Sequence, residues 1–153
     1  MHKSAIISED GQYRYQLTRI WDEMKPMTNF IGLNPSTADA TLDDPTIRRC
    51  INFATFWGYG GFYMTNLFAY RTFSPAILRE ATDPIGREND MHLLDISSKV
   101  DRVVFAWGVG GTLLARDQAV LKLIRNGHYI ALSKGGHPRH PLYLKSDLTL
   151  KPF

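Results

Sequence analysis

Between Asn34 and Arg49 the residues N-P-S-T-A-D-A-T-L-D-D-P-T-I-R-R carry far more hydrogen-bonding and ionisable groups than a turn requires. Asn34 offers a donor and an acceptor on one carboxamide, enough to orient a water or read an amide-like ring edge. Ser36 and Thr37 add hydroxyls beside it. Asp39, Asp43 and Asp44 are carboxylates able to act as general bases or to hold a hard cation, and crowding raises their pKa toward the range useful for proton transfer. Their spacing matches no calcium loop. Arg48 and Arg49 follow, suited either to ion pairs back to Asp43 and Asp44 or to a forked grip on phosphate. A second cluster, G-G-H-P-R-H-P, holds His137, Arg139 and His140 around two prolines, and histidine can donate to developing negative charge. Two histidines three residues apart lack a cysteine partner or an H-E-x-x-H pattern, so neither a metal nor a cofactor is expected. In M-T-N-L-F-A-Y-R, Asn66 interrupts a strand-like run and Arg71 lies just beyond it. An unsatisfied amide there would cost roughly 1 to 3 kcal/mol, so Asn66 is expected either to bond the neighbouring loop or to face a site.

Positioning these groups is the task of the surrounding elements. The stretches K-S-A-I-I-S and Y-R-Y-Q-L-T-R-I-W flank E-D-G-Q, whose Asp-Gly pair signals a hairpin over residues 1–20. T-N-F-I-G-L reads as an inner strand that empties into the N-P-S-T loop. Ile47, Cys50, Ile51, Ala54 and Trp57 then recur at helical spacing, with Asp43 or Asp44 as cap and Pro45 in the first turn. F-Y-M-T-N-L-F-A-Y, R-V-V-F-A-W-G and H-Y-I-A-L-S are further strands, separated by helical segments after Pro75, after Asp83 and from Val109 to Gly127. The tail reads as turns followed by a short helix.

This alternation predicts one α/β domain over residues 1–153: a three-layer α/β/α sandwich on a mostly parallel four-stranded central sheet, with the hairpin as an N-terminal addition. Sites in such sheets form beyond the C-terminal strand ends. That places the loops after Leu33, Leu67, Trp107 and Ser133 around any site, and the polar clusters fall in three of them.

Composition sets the outer bounds. At 153 residues, 44% hydrophobic and a net charge of +3, the chain suits a single folded domain and tolerates a polyanionic partner without requiring one. The lone Cys50 sits in the apolar helical pattern and implies a reducing compartment. No stretch has the length of a signal peptide or membrane span, so a cytoplasmic protein without membrane association is expected. Oligomeric state is left open.

The segments Y-R-Y-Q-L-T-R-I-W, F-I-G-L-N-P-S-T-A-D, D-D-P-T-I-R-R-C, N-L-F-A-Y-R and G-H-P-R-H-P-L-Y-L together resemble the family called domain of unknown function 1643, over nearly the whole chain. More distantly, I-G-L-N-P-S at 31–36 is similar to the strand-end G-I-N-P-G motif of the mismatch-specific branch of the uracil-DNA glycosylase superfamily. The later strands and the G-H-P-R-H-P loop follow in that superfamily's order over residues 28–145. This resemblance implies base excision at the strand ends of a four-stranded parallel sheet. It likens Asn34 to the asparagine that positions the attacking water and His137 to the histidine that stabilises the departing base. Asn66 falls near the strand that reads the flipped base. Pro138 and Arg139 stand where the superfamily has proline and serine, and the acidic insertion after Ser36 also departs from it.

The leading expectation is therefore an N-glycosidic bond hydrolase acting on a nucleobase in DNA or in a small nucleotide, with Asn34, Asp39 or Asp43, and His137 in catalysis. Ser36, Thr37, Asn66, Arg48, Arg49, Arg71, Arg139 and His140 would bind substrate. Two alternatives stand beside it. One is a non-catalytic nucleotide or nucleic-acid binding module gripping phosphate with Arg48, Arg49, Arg71 and Arg139. The other is a metal-assisted hydrolase built on Asp39, Asp43 and Asp44.

Overall fold

The computed structural model describes residues 1–153. Its strands are β1 (His2–Ile7), β2 (Arg14–Ile20), β3 (Met27–Gly32), β4 (Gly61–Asn66), β5 (Arg102–Phe105), β6 (Gly127–Tyr129) and β7 (Lys151–Pro152). The helices are α1 (Pro45–Phe56), α2 (Pro75–Glu80), α3 (Asn89–Ser97) and α4 (Arg116–Leu123), with a 3-10 turn at Val109–Ala115 before α4.

All seven strands join one mixed sheet in the order β1-β2-β4-β3-β5-β6-β7. Strand β3 pairs in parallel with β4 and β5, and β5 with β6, whereas the β1/β2, β2/β4 and β6/β7 pairs are antiparallel. The α/β class holds, but the expected four-stranded sheet is too small. The hairpin is not a mere appendage: β2 offers its free edge to β4 from Leu17 opposite Met64 to Ile20 opposite Gly61. The tail, expected as a short helix, instead pairs Lys151 and Pro152 with β6. A proline fits there because an edge strand can dispense with one N–H.

Alternation along the strands divides the apolar residues between two faces. Phe30, Met64 and Val104 pack with Ile47, Cys50, Phe53 and Ala54 of α1, closed over by Leu144. Ile31, Val103 and Phe105 pack on the opposite side with Leu78, Leu93, Val120 and Ile124 from α2, α3 and α4. Each fully buried Val, Leu, Ile, Phe or Met among them contributes about 1.5 to 3 kcal/mol. Helix α1 begins where the residues dictate: the Asp44 side chain accepts from the Ile47 N–H at 2.9 Å, and Pro45 occupies the first turn. Cys50 is a free, buried thiol whose pKa burial pushes up, consistent with a core residue.

The region from Val109 to Leu123 departs from the single helix that its sequence suggests. Leu114 and Ala115 take left-handed φ of 55° and 51°, which breaks the path between the 3-10 turn and α4. Gly110 and Gly111 allow that turn to press against Leu33 and Trp107, where a β-carbon would stand 2.9 and 2.4 Å from those side chains.

A candidate active site at the strand ends

Two loops leaving neighbouring parallel strands are zipped together. Leu67 and Phe68 N–H groups donate to Gly32 and Leu33 carbonyls at 2.9 and 3.0 Å, and Thr72 N–H donates to Pro35 at 3.0 Å. The Asn34 amide nitrogen completes the zip by donating to the carbonyls of Thr72, Pro35 and Tyr70 at 2.6, 3.1 and 3.4 Å. Three carbonyls around the nitrogen fix the orientation of the carboxamide, so Oδ1 is the atom left without a protein donor.

Between these loops and the start of α1 lies a cavity of about 210 Å³ open to solvent. Asn34, Ser36, Asp44, Asn66, Arg14 and His140 supply its polar groups, and Leu33, Ile47, Met64 and Phe73 its apolar wall. A volume under the roughly 300 to 1,000 Å³ of drug-sized pockets suits a small planar group.

Asn66 is 2% exposed, and its Nδ2 has no partner in the protein. It pairs across the sheet with Gly32, and a β-carbon on that glycine would stand 2.8 Å from Asn66 Oδ1. Glycine at position 32 therefore leaves room for the Asn66 carboxamide. From behind, Asn89 Nδ2 donates to the Asn66 and Leu67 carbonyls at 2.9 and 3.0 Å. The buried Arg116 also donates to Leu67, at 2.8 Å, and pairs with Asp90, so this strand end is held from the helical side.

His140 reaches the cavity from the loop after β6. Leu142 N–H donates to its Nδ1 at 3.2 Å, which places the proton of the neutral ring on Nε2. Burial lowers the His140 pKa against a smaller upward pull from Asp44, so the ring is neutral at pH 7 and Nε2–H is a donor. Asp44 caps α1 through Oδ1 and is the carboxylate that lines the cavity.

Arg14 lines the same cavity from β2. Its Nη1 donates to the Ala38 carbonyl at 2.9 Å. Desolvation draws its pKa down to about 10, Asp44 opposing, and it stays cationic at neutral pH.

The structure thus gathers Asn34, Ser36, Asp44, Asn66 and His140 from among the residues singled out by the sequence, and leaves the others outside the lining. Asp39 folds its carboxylate onto its own loop, accepting from Leu42 and Thr41 N–H at 2.7 and 2.9 Å, and these bonds hold its pKa low. Asp43 pairs with Arg19 at 2.8 Å and Lys3 at 3.3 Å. Partial burial pushes its carboxyl up, but the bonds and charges of those two cations outweigh it and hold the pKa below the usual value. No three His, Cys, Asp or Glu side chains are grouped to share an ion. Thr37 is exposed. Arg48 donates to the Asp43 carbonyl, Arg49 to Pro141 while its guanidinium lies over Phe53, and Arg71 to Gly11. Arg139 is exposed. His137 belongs to a tight turn in which its N–H donates to Ser133 Oγ and its carbonyl accepts from Ser133 N–H.

Arg14 and Phe73 are cavity residues that sequence reasoning passed over, whereas Asp44 was weighed as a general base, a cation ligand or a cap but not placed among the catalytic residues. A signal for Arg14 existed: a charged residue inside the otherwise strand-like Y-R-Y-Q-L-T-R-I-W needs a partner when the strand is covered on both faces.

The fold and cavity define an α/β protein with a polar strand-end pocket. The chain belongs to the family described as protein of unknown function (DUF1643), which matches residues 14–142 and so contains every residue of that pocket. No curated protein and no solved structure matches it.

Proposed function

We propose that this protein hydrolyses the N-glycosidic bond of a nucleobase-containing substrate. The observation that carries the reading is the convergence of Asn34, Asp44, Asn66 and His140 on one small cavity. In the reaction, water adds to the anomeric carbon while the carbon–nitrogen bond breaks and its electron pair leaves with the base. Asn34 Oδ1, free of protein donors, accepts from that water and fixes its position. Asp44 receives the water's proton and offsets positive charge on the sugar. Asn66 presents a donor and an acceptor to the edge of the base, and the neutral His140 Nε2–H donates to the base as it becomes anionic. Phe73, 82% exposed at the cavity, offers a ring on which the base can stack.

A glycosylase-like fold is part of the same proposal. The parallel run β4-β3-β5-β6, with the cavity at its C-terminal ends, supports it, as does the order of the sequence segments that carry the resemblance. Within this reading the leaving-base role expected of His137 passes to His140, and the carboxylate role expected of Asp39 or Asp43 passes to Asp44.

The test is incubation with oligonucleotides carrying uracil, mismatched, deaminated and alkylated bases, together with free nucleosides and nucleotides, followed by mass spectrometry of released bases. Release that falls at least a hundredfold in Asn34→Ala is expected. Absence of base release from every substrate would overturn the proposal.

A further inference from the structure

We infer that the cavity contains an oxyanion subsite centred on Arg14, and that the group it takes is the phosphate monoester of a small nucleotide. The nucleotide's identity rests on the glycosidic reading above, whereas the oxyanion subsite stands on the geometry of Arg14.

Strand β2 carries two buried arginines whose surroundings differ sharply. Arg19, 0% exposed, has every guanidinium nitrogen engaged: Nε with Asp43, Nη1 with the carbonyls of Thr18 and Ala40, and Nη2 with those of Asp39 and Leu42. Arg14, 3% exposed, has one protein acceptor, Ala38, on Nη1. Its Nε is buried without a partner, its Nη2 donates to no protein acceptor, and the ion pairs of the molecule do not include it. Nε and Nη2 form the edge of the guanidinium that grips two oxygens of one anion side by side. A buried cation with that edge vacant is costly unless a ligand supplies the missing acceptors.

Its surroundings suit an anion. Ser36 and Thr46 bring hydroxyls to the same cavity, and Thr46 and Ile47 belong to the first turn of the twelve-residue α1, where backbone N–H groups and the helix dipole favour negative charge. Asp44 shares the wall but makes no ion pair with Arg14, and its Oδ1 is held by the Ile47 N–H. The choice of a small nucleotide follows from depth. At 3% exposure Arg14 lines the cavity as a buried residue, as does Asn66, and does not sit at the rim, where the phosphodiesters of a polymer would run. A terminal monoester can enter with its base.

Calorimetric titration of the whole protein with inorganic phosphate, acetate, nucleosides and nucleoside 5′-monophosphates tests this, together with NMR of the Arg14 Nε–H during the phosphate titration. Saturable phosphate binding that shifts the Arg14 signal is expected, with monophosphates binding at least tenfold tighter than their nucleosides. That advantage should vanish in Arg14→Gln and be only partly restored in Arg14→Lys, which keeps the charge but lacks the fork. Should Arg14→Gln fail to fold, the NMR shift in the unaltered protein decides. No phosphate binding, binding that leaves the Arg14 signal unmoved, or acetate binding as tightly as phosphate would each overturn the inference. Base release from oligonucleotides without phosphate binding would sink the subsite and spare the glycosidic reading. Arg14-dependent monophosphate binding without base release from any substrate would do the reverse.

Discussion

Asn34 commits its amide hydrogens to backbone carbonyls and leaves Oδ1 bare, so truncating it removes both a loop fastening and the acceptor proposed to orient water. Asp44 separates these effects more cleanly. Asp44→Asn retains an oxygen to cap α1, and helix stability should change by less than about 1 kcal/mol. Catalysis should fall by about 10²- to 10⁴-fold, because an amide cannot accept the proton of water; single-turnover rates beside thermal melts would show the split. Phe73→Ala should raise KM with little change in kcat and with stability within about 0.5 kcal/mol, since the ring is 82% exposed. At Gly32 the close approach of Asn66 Oδ1, 2.8 Å from a built β-carbon, means that Gly32→Ala must displace the carboxamide proposed to read the base. An otherwise folded Gly32→Ala protein should therefore lose base discrimination first. Residue type pointed to Asn34 and Asn66 from sequence alone, Asn34 because it follows a strand-like run and Asn66 because its carboxamide interrupts one and needs a partner. The choice between His137 and His140 was not legible there: they are three residues apart in one loop, and only the folded chain shows His140 lining the cavity while His137 closes the Ser133 turn.

Among the elements, the 39–43 loop illustrates how a cluster that reads as chemistry can be architecture. Arg19 reaches out of β2 and collects carbonyls from Asp39, Ala40 and Leu42 together with the Asp43 carboxylate. Arg19→Met should destabilise the fold by about 3 kcal/mol or more, because it strands those acceptors, and denaturant unfolding would measure it. Helix α1 was readable at its start to within one residue, with Asp43 or Asp44 as cap, since the cap, Pro45 and the apolar spacing act locally. The loop's anchor was not, because it joins positions 19 and 43 across the chain. Nor was the break before α4 readable, where leucine and alanine adopt left-handed backbone that their propensities disfavour.

For the whole molecule, acid should act in two stages. Burial lowers the pKa of His92 and His140 below the ordinary 6.5, so the unfolded chain binds protons first and stability falls as pH drops below about 6.5 toward the folded values. Asp43, held below 3.8 by Arg19 and Lys3, adds a second loss as pH falls through and below that value. Melting temperature followed from pH 8 to pH 3 should show both, and a flat profile between pH 7 and 5 would contradict the neutral, half-buried histidines. Sheet extent was the global property least visible in sequence. Strand β7 is two residues long and β6 three, too short for alternation to register, and β2 hides its membership behind two charged side chains.

The cavity's assigned chemistry makes water the nucleophile at the anomeric carbon. Reaction of the protein in ¹⁸O-labelled water with the nucleotide and oligonucleotide substrates, followed by mass spectrometry of both fragments, tests that claim most directly. Label on the sugar fragment and none on the released base, with the signal abolished in Asn34→Ala, is the expected result. Unlabelled sugar, or no cleavage in any substrate, would contradict that claim.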